Sequence, residues 1–76
     1  AREELVTIAF FGNQLCVTAR QAIRRLMVYS FEGDLLGTNG QMEQGDIYRL
    51  SIRSPLLLVI EATDGTRIVC KLSSGR

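Results

Sequence analysis

Short apolar runs separated by turn residues make up most of the chain. The first two runs, residues 5–11 and 14–18, flank Gly12 and Asn13. Two apolar runs around a Gly-Asn pair are typical of a β-hairpin with a two-residue loop. Pairing across such a loop puts four apolar side chains on the side that we expect to face a core, and Cys16 on the opposite side. These four are Ile8, Phe10, Leu15 and Val17.

The segment after this hairpin fits two kinds of element. Residues 19–27 are compatible with a helix, because their apolar residues have helical spacing and follow Thr18 in a cap position. These residues are Ala19, Ala22, Ile23, Leu26 and Met27. The continuation of the segment, Leu-Met-Val-Tyr-Ser-Phe, is rich in residues that favour strands. The local pattern therefore leaves both alternatives open.

If this segment is a strand, both of its faces are apolar. Met27, Tyr29 and Phe31 would alternate on one face, and Leu26 and Val28 on the other. Such a strand is either covered on both sides or presents a docking surface for a neighbouring domain.

Turn residues divide the rest of the chain into four further predicted strands. Gly33 marks the first turn, and Asp64-Gly65 is the strongest turn signal in the sequence. The continuous apolar run over residues 56–60 is typical of a central strand or of one buried on both faces. The four predicted strands are 35–36, 47–52, 56–60 and 66–72, with a polar, glycine-bearing loop over residues 37–46.

About seven short strands with frequent turns predict an all-β fold, an antiparallel β-sandwich of the Ig-like kind. The 76 residues are enough for one domain, so we expect residues 1–76 to form a single sandwich. Apolar residues make up 46% of the sequence, which supplies a core and argues against disorder.

The residues that usually carry catalysis are scarce. The sequence has no histidine, which excludes Ser-His and Cys-His pairs and histidine metal ligands. Its carboxylates are scattered, mostly at predicted turns, where acidic residues are ordinarily solvated. We therefore predict no catalytic, cofactor-binding or metal-binding residues, no cofactor, and no enzymatic activity.

Charge does not favour a nucleic-acid or membrane partner. The formal net charge is +1, and no apolar run is long enough to span a bilayer. Six arginines, with Tyr29 and Tyr48 among them, could form a basic patch, but we prefer solvated strand edges that block edge-to-edge association. These arginines are Arg20, Arg24, Arg25, Arg49, Arg53 and Arg67.

The two cysteines, Cys16 and Cys70, admit two interpretations. A disulfide between them would close a long loop and stabilise the domain by about 4 kcal/mol in the chain-entropy model. Alternatively, each packs separately as a small apolar residue. The predicted hairpin places Cys16 away from the core, which favours two separate thiols.

The motifs follow one another in a characteristic order. Residues 12–17 read Gly-Asn-Gln-Leu-Cys-Val, residues 48–52 read Tyr-Arg-Leu-Ser-Ile, and residues 64–72 begin with Asp-Gly and end with Lys-Leu. Residues 28–33 contain Val-Tyr and, four positions after the tyrosine, a glycine. This series covers almost the whole sequence and resembles the C-terminal sorting domain of the type IX (Por) secretion system of Bacteroidota.

The resemblance implies a strand over residues 23–31 and a role in export. It implies a non-catalytic sorting module at the C-terminus of a larger exported protein, which would pass the periplasm and end at the cell surface or outside the cell. The secretion machinery would read the last strand, where the resemblance points to Val69, Lys71 and Leu72 as recognition residues. The alternative is an Ig-like accessory or carbohydrate-associated domain that packs on a neighbouring domain of a larger enzyme. A small nucleic-acid-binding β-barrel is the weaker alternative.

Overall fold

The computed structural model describes residues 5–52 and 55–72, and these form seven β-strands and no helix. The all-β prediction is confirmed, and the helix considered for residues 19–27 is wrong. The strands are β1 (Val6–Phe11), β2 (Gln14–Ala19), β3 (Ile23–Ser30), β4 (Leu35–Asn39), β5 (Ile47–Ser51), β6 (Leu56–Ala62) and β7 (Arg67–Leu72).

The strands form two antiparallel sheets that pack on one shared core. One sheet has three strands in the order β1-β2-β5, and the other has four in the order β4-β3-β6-β7. Buried apolar residues of both sheets belong to a single core cluster. This order matches an Ig-like sandwich in which A, B and E strands form one sheet and C, F and G strands the other, with C′ added beside C.

The first hairpin has the register that a two-residue loop predicts. Phe10 pairs with Leu15 and Ile8 pairs with Val17. Leu15 and Val17 are fully buried, while Ile8 and Phe10 are partly buried and pack against the core. The period-two alternation of the strands thus puts the predicted four residues on the inner side of the three-stranded sheet.

A β-bulge in β3 explains why this strand resembles a helix in sequence. Ile23 and Leu26 are both fully buried although they are three residues apart, which a regular strand does not allow. The pairing of β3 with β6 shifts between Ile23 and Arg25, so Arg24 is an extra residue on β3. Arg24 and Arg25 are both exposed between the two buried residues, and the bulge thereby produces helix-like spacing within a strand.

β6 is a central strand, as its apolar run predicts. It lies between β3 and β7. Its inward side chains, Leu56, Leu58 and Ile60, are buried, whereas the outward Leu57 and Val59 are only half-buried. The strand is therefore covered fully on one side alone.

One core residue comes from the loop that we expected to be polar. Met42 is almost completely buried and forms an isolated bridge with Ile23. The Ile23 N–H donates to the Met42 carbonyl at 2.9 Å, and the Met42 N–H donates to the Ile23 carbonyl at 3.1 Å. The loop is also shorter than predicted, because residues 37–39 belong to β4.

The turn between β6 and β7 is built around Asp64 and Gly65. Gly65 has φ of 92°, a left-handed conformation that glycine adopts without steric cost. Its N–H donates to the Ala62 carbonyl at 3.0 Å. The Asp64 carboxylate accepts a hydrogen bond from the Thr66 N–H at 2.9 Å, and this bond holds the pKa of Asp64 below its usual value.

Candidate recognition surface

β7 carries the three residues that the sequence assigned to recognition. Val69 and Lys71 point outward from the four-stranded sheet and are exposed, Val69 to 61%. Leu72 points to the opposite side, where it is partly buried and packs against the core together with Cys70. The structure therefore brings Val69 and Lys71 together on one surface. Leu72 instead helps to pack β7 against the core.

The side chains beside Val69 and Lys71 form two rows across the outward side of this sheet. Register pairs align Val69 with Val59 and Met27, and Lys71 with Leu57, Tyr29 and Leu35. The Tyr29 hydroxyl contacts the Met27 sulfur at 3.6 Å. We call the apolar members of these rows the outer face. They are Met27, Tyr29, Leu35, Leu57, Val59 and Val69.

A third row at one end of the outer face is charged. Glu61 lies between two arginines, with the Arg25 Nε at 3.6 Å and the Arg24 Nη1 at 3.9 Å from its carboxylate oxygens. Arg24 also donates to the Thr63 carbonyl at 3.4 Å. Since Glu61 is shared by two arginines, this row has a positive charge in excess.

The two cations of β7 have no ion-pair partner among residues 5–52 and 55–72. Arg67 is opposite Glu61 in the strand register, but the Glu61 carboxylate is within ion-pair distance of Arg24 and Arg25 only. Lys71 is opposite Leu57 and is the sole lysine of the sequence. β7 thus presents an exposed valine, Val69, with one cation on each side of it, Arg67 and Lys71.

The six arginines considered as a basic patch are divided between different surfaces. Arg24, Arg25 and Arg67 lie on the four-stranded sheet, whereas Arg49 lies on β5 of the other sheet. Arg20 follows the end of β2, and Arg53 is outside the described residues. Tyr48 is partly buried and packs against the core, and burial raises the pKa of its phenol.

The cysteines lie in different sheets, and both are free thiols. Cys16 is opposite Ala9 on the outward side of the three-stranded sheet, as the hairpin register predicts. Cys70 packs against the core from β7. The structure agrees with two separate thiols rather than one disulfide.

Within the described part of the chain, other kinds of site do not emerge. No group of three or more cysteine and acidic side chains is arranged to hold a metal ion. Residues 5–52 and 55–72 contain no helix long and apolar enough to cross a membrane.

Comparison of the chain with family models, curated proteins and solved structures finds no match. The fold is a small antiparallel β-sandwich, and a fold of this kind carries many functions.

Proposed function

We propose that this chain is a non-catalytic sorting module of a larger exported protein, recognised by type IX secretion machinery through the exposed side of β7. The observation that carries the proposal is the position of Lys71. The sole lysine of the sequence is exposed beside Val69 on an edge strand, without an ion-pair partner in the described chain. Replacing an exposed side chain of this kind costs little stability, so an effect of Lys71 substitutions on secretion would report recognition rather than folding.

The positions of the other motifs support this proposal. Gly12 and Asn13 form the turn between β1 and β2, and Val28-Tyr29 lies within β3. Asp64-Gly65 forms the turn that leads into the strand of Lys71. The motif residues therefore occupy the kinds of element, strand or turn, that the resemblance implies.

The character of the outer face also supports recognition by a protein. Leu35 and Val69 are more than half exposed, and Met27, Leu57 and Val59 are only partly covered. Apolar side chains collected on one face and bordered by charges are typical of protein–protein interfaces. Recognition through such a surface needs no chemical reaction.

A secretion assay with matched variants tests the proposal. Residues 1–76 are fused to a reporter carrying an inner-membrane export signal and expressed in a cell with a type IX system. We expect the fusion to be secreted, and Lys71→Ala to lower the secreted fraction at least several-fold without changing the melting temperature of the isolated domain.

The control is Arg49→Ala, because Arg49 is an exposed cation in the middle of an edge strand of the other sheet. It should leave secretion unchanged. Periplasmic retention of the unmodified fusion, or equal secretion of the Lys71→Ala and unmodified fusions, would contradict the proposal. Retention would favour an accessory domain whose outer face packs on a neighbouring domain.

A further inference from the structure

β7 has one hydrogen-bonded side and one open side. It pairs with β6 along its whole length, from Glu61 opposite Arg67 to Leu56 opposite Leu72, without a register shift. No other strand among residues 5–52 and 55–72 pairs with it. The main-chain N–H and C=O groups on the open side of such an edge strand are available to a further strand.

The other edge strands are less suited to selective pairing. β4 is disrupted by a register shift opposite Val28 and Tyr29, and bulges of this kind protect an edge. The outward side chains of β1 are uncharged, and β5 has a single outward cation, Arg49. β7 differs from all three because Arg67 and Lys71 flank Val69 on its outward side.

These charges disfavour a second copy of the chain as the added strand. In a symmetric antiparallel pair centred on Val69, Arg67 of one copy lies opposite Lys71 of the other. Like charges in directly opposite positions destabilise a strand pair. Centring the pair on Cys70 instead puts Lys71 opposite Val69, so neither register puts a carboxylate opposite a cation.

We propose that β7 accepts an extended segment of a partner protein as an antiparallel fifth strand of the four-stranded sheet. On the outer face this segment has an apolar residue opposite Val69 and acidic residues opposite Arg67 and Lys71. Opposite charges in such positions stabilise strand pairs, and the main-chain hydrogen bonds supply affinity. The inference deepens the proposed function, because it gives the chemistry of the partner that would read β7.

Synthetic peptides test this directly. The probe is a capped peptide, Thr-Glu-Thr-Val-Thr-Glu-Thr, titrated into the ¹⁵N-labelled 76-residue chain and followed by NMR. We expect chemical-shift changes centred on β7 and its neighbour β6, and binding that weakens as salt is added. A peptide with lysine in place of both glutamates should bind at least tenfold more weakly, as should the acidic peptide with N-methyl groups on alternate residues.

Charge exchange on the protein provides the matched test. The double variant Arg67→Glu/Lys71→Glu should prefer the lysine peptide over the glutamate peptide by at least tenfold, which is about 1.4 kcal/mol. Arg49→Glu on β5 is the control and should keep the original preference. Melting curves of both variants establish that they fold.

Three results would overturn the inference. These are equal binding of the acidic and basic peptides, shift changes centred on β1, β4 or β5, and self-association of the chain that excludes the peptide. The assay contains no secretion component, so its failure is distinguishable from failure of the proposed function. If Lys71→Ala abolishes secretion while the peptides bind without charge preference, only the strand-addition inference fails. If charge preference is observed while secretion is independent of Lys71, only the sorting function fails.

Discussion

Strands β2 and β6 each lie inside a sheet, and each points every second side chain into the same core. The inward residues are buried in both strands: Leu15, Val17 and Ala19 on β2, and Leu56, Leu58, Ile60 and Ala62 on β6. The outward residues differ in kind: Gln14, Cys16 and Thr18 on β2, and Leu57, Val59 and Glu61 on β6. The core depends only on the inward pattern. Core packing therefore does not explain the larger apolar side chains, Leu57 and Val59, on the outward side of β6.

We expect the two sheets to unfold in a single cooperative transition, because they share one core. Deleting residues 66–76 removes β7 and uncovers one side of β6. A domain of this size has roughly 5 kcal/mol of stability, and each buried aliphatic side chain contributes about 1.5–3 kcal/mol. We expect complete unfolding, including the three-stranded sheet, measured by loss of NMR dispersion and of the thermal transition. A cooperative melt of the truncated chain would contradict the shared core.

Replacing each of two neighbouring leucines on β6 by alanine should show how differently the inward and outward sides of the strand contribute to stability. Leu58→Ala leaves a cavity in the core and should cost about 2–5 kcal/mol in the free energy of unfolding. Leu57→Ala removes a half-buried side chain from the outer face and should cost about 1 kcal/mol. Urea denaturation of both variants measures the difference. Equal losses would mean that the outer face contributes to folding as much as the core does.

Gly37 marks a point where the two sheets approach each other closely. A Cβ atom there would overlap the Tyr48 hydroxyl on β5 and lie 3.3 Å from the Leu50 side chain. Because Tyr48 packs against the core, we expect Gly37→Ala to cost about 1–3 kcal/mol. Adding Tyr48→Phe removes the hydroxyl and should restore most of the loss. Gly40→Ala is the control, since nothing lies within 4 Å of a Cβ at that position.

The hairpin turns of the two sheets should be equally sensitive to substitution, because each contains a glycine with positive φ. The two sheets would then differ in their outward side chains and not in their turns. Gly65 in the four-stranded sheet has φ of 92°, and Gly12 in the three-stranded sheet has φ of 63°. A β-branched residue is strained in this region, so Gly65→Val should cost more than about 1 kcal/mol, and Gly12→Val a similar amount. Thermal melts that show no loss for Gly65→Val would mean that the β6–β7 turn tolerates another conformation.

The smallest expected effect is a change in pH dependence at Asp64. The hydrogen bond from the Thr66 N–H lowers the pKa of Asp64 in the folded state, so folding releases a proton from this group. Its contribution is present above the unfolded pKa and is lost as pH falls through the folded pKa. Asp64→Asn should therefore flatten the rise of stability with pH between about pH 3 and pH 5. Melting temperatures across this range test it, and an unchanged slope would contradict the assignment.

Sequence reasoning succeeded where the signal was local. The register of β1 and β2 was predicted from the two-residue loop and is confirmed. The outward position of Val69 was not predicted, although alternation along one strand accounts for it and for that of Lys71. Leu72 lies on the other side of β7 by the same rule, so a prediction based on alternation would have separated it from Lys71. The resemblance grouped the three by their order in sequence instead.

The errors arose where a non-local contact decides the structure. Met42 is a single apolar residue in a polar loop, and its burial depends on a bridge to Ile23, distant in sequence. Residues 37–39 contain glycine and asparagine, which disfavour strands, yet pairing with β3 holds them in β4. The open side of β7 likewise depends on which strands meet, a matter of topology that no local pattern specifies.

The bulge in β3 has a consequence for how this chain tolerates insertions and deletions. Elsewhere in a strand, losing one residue turns every following side chain to the wrong side of the sheet. Here Ile23 is opposite Ala62 and Arg25 is opposite Glu61, with Arg24 as the extra residue between them. Removing Arg24 would leave an unbroken ladder with Ile23 and Leu26 still facing inward. A chain shortened by one residue at this position would therefore keep the same core.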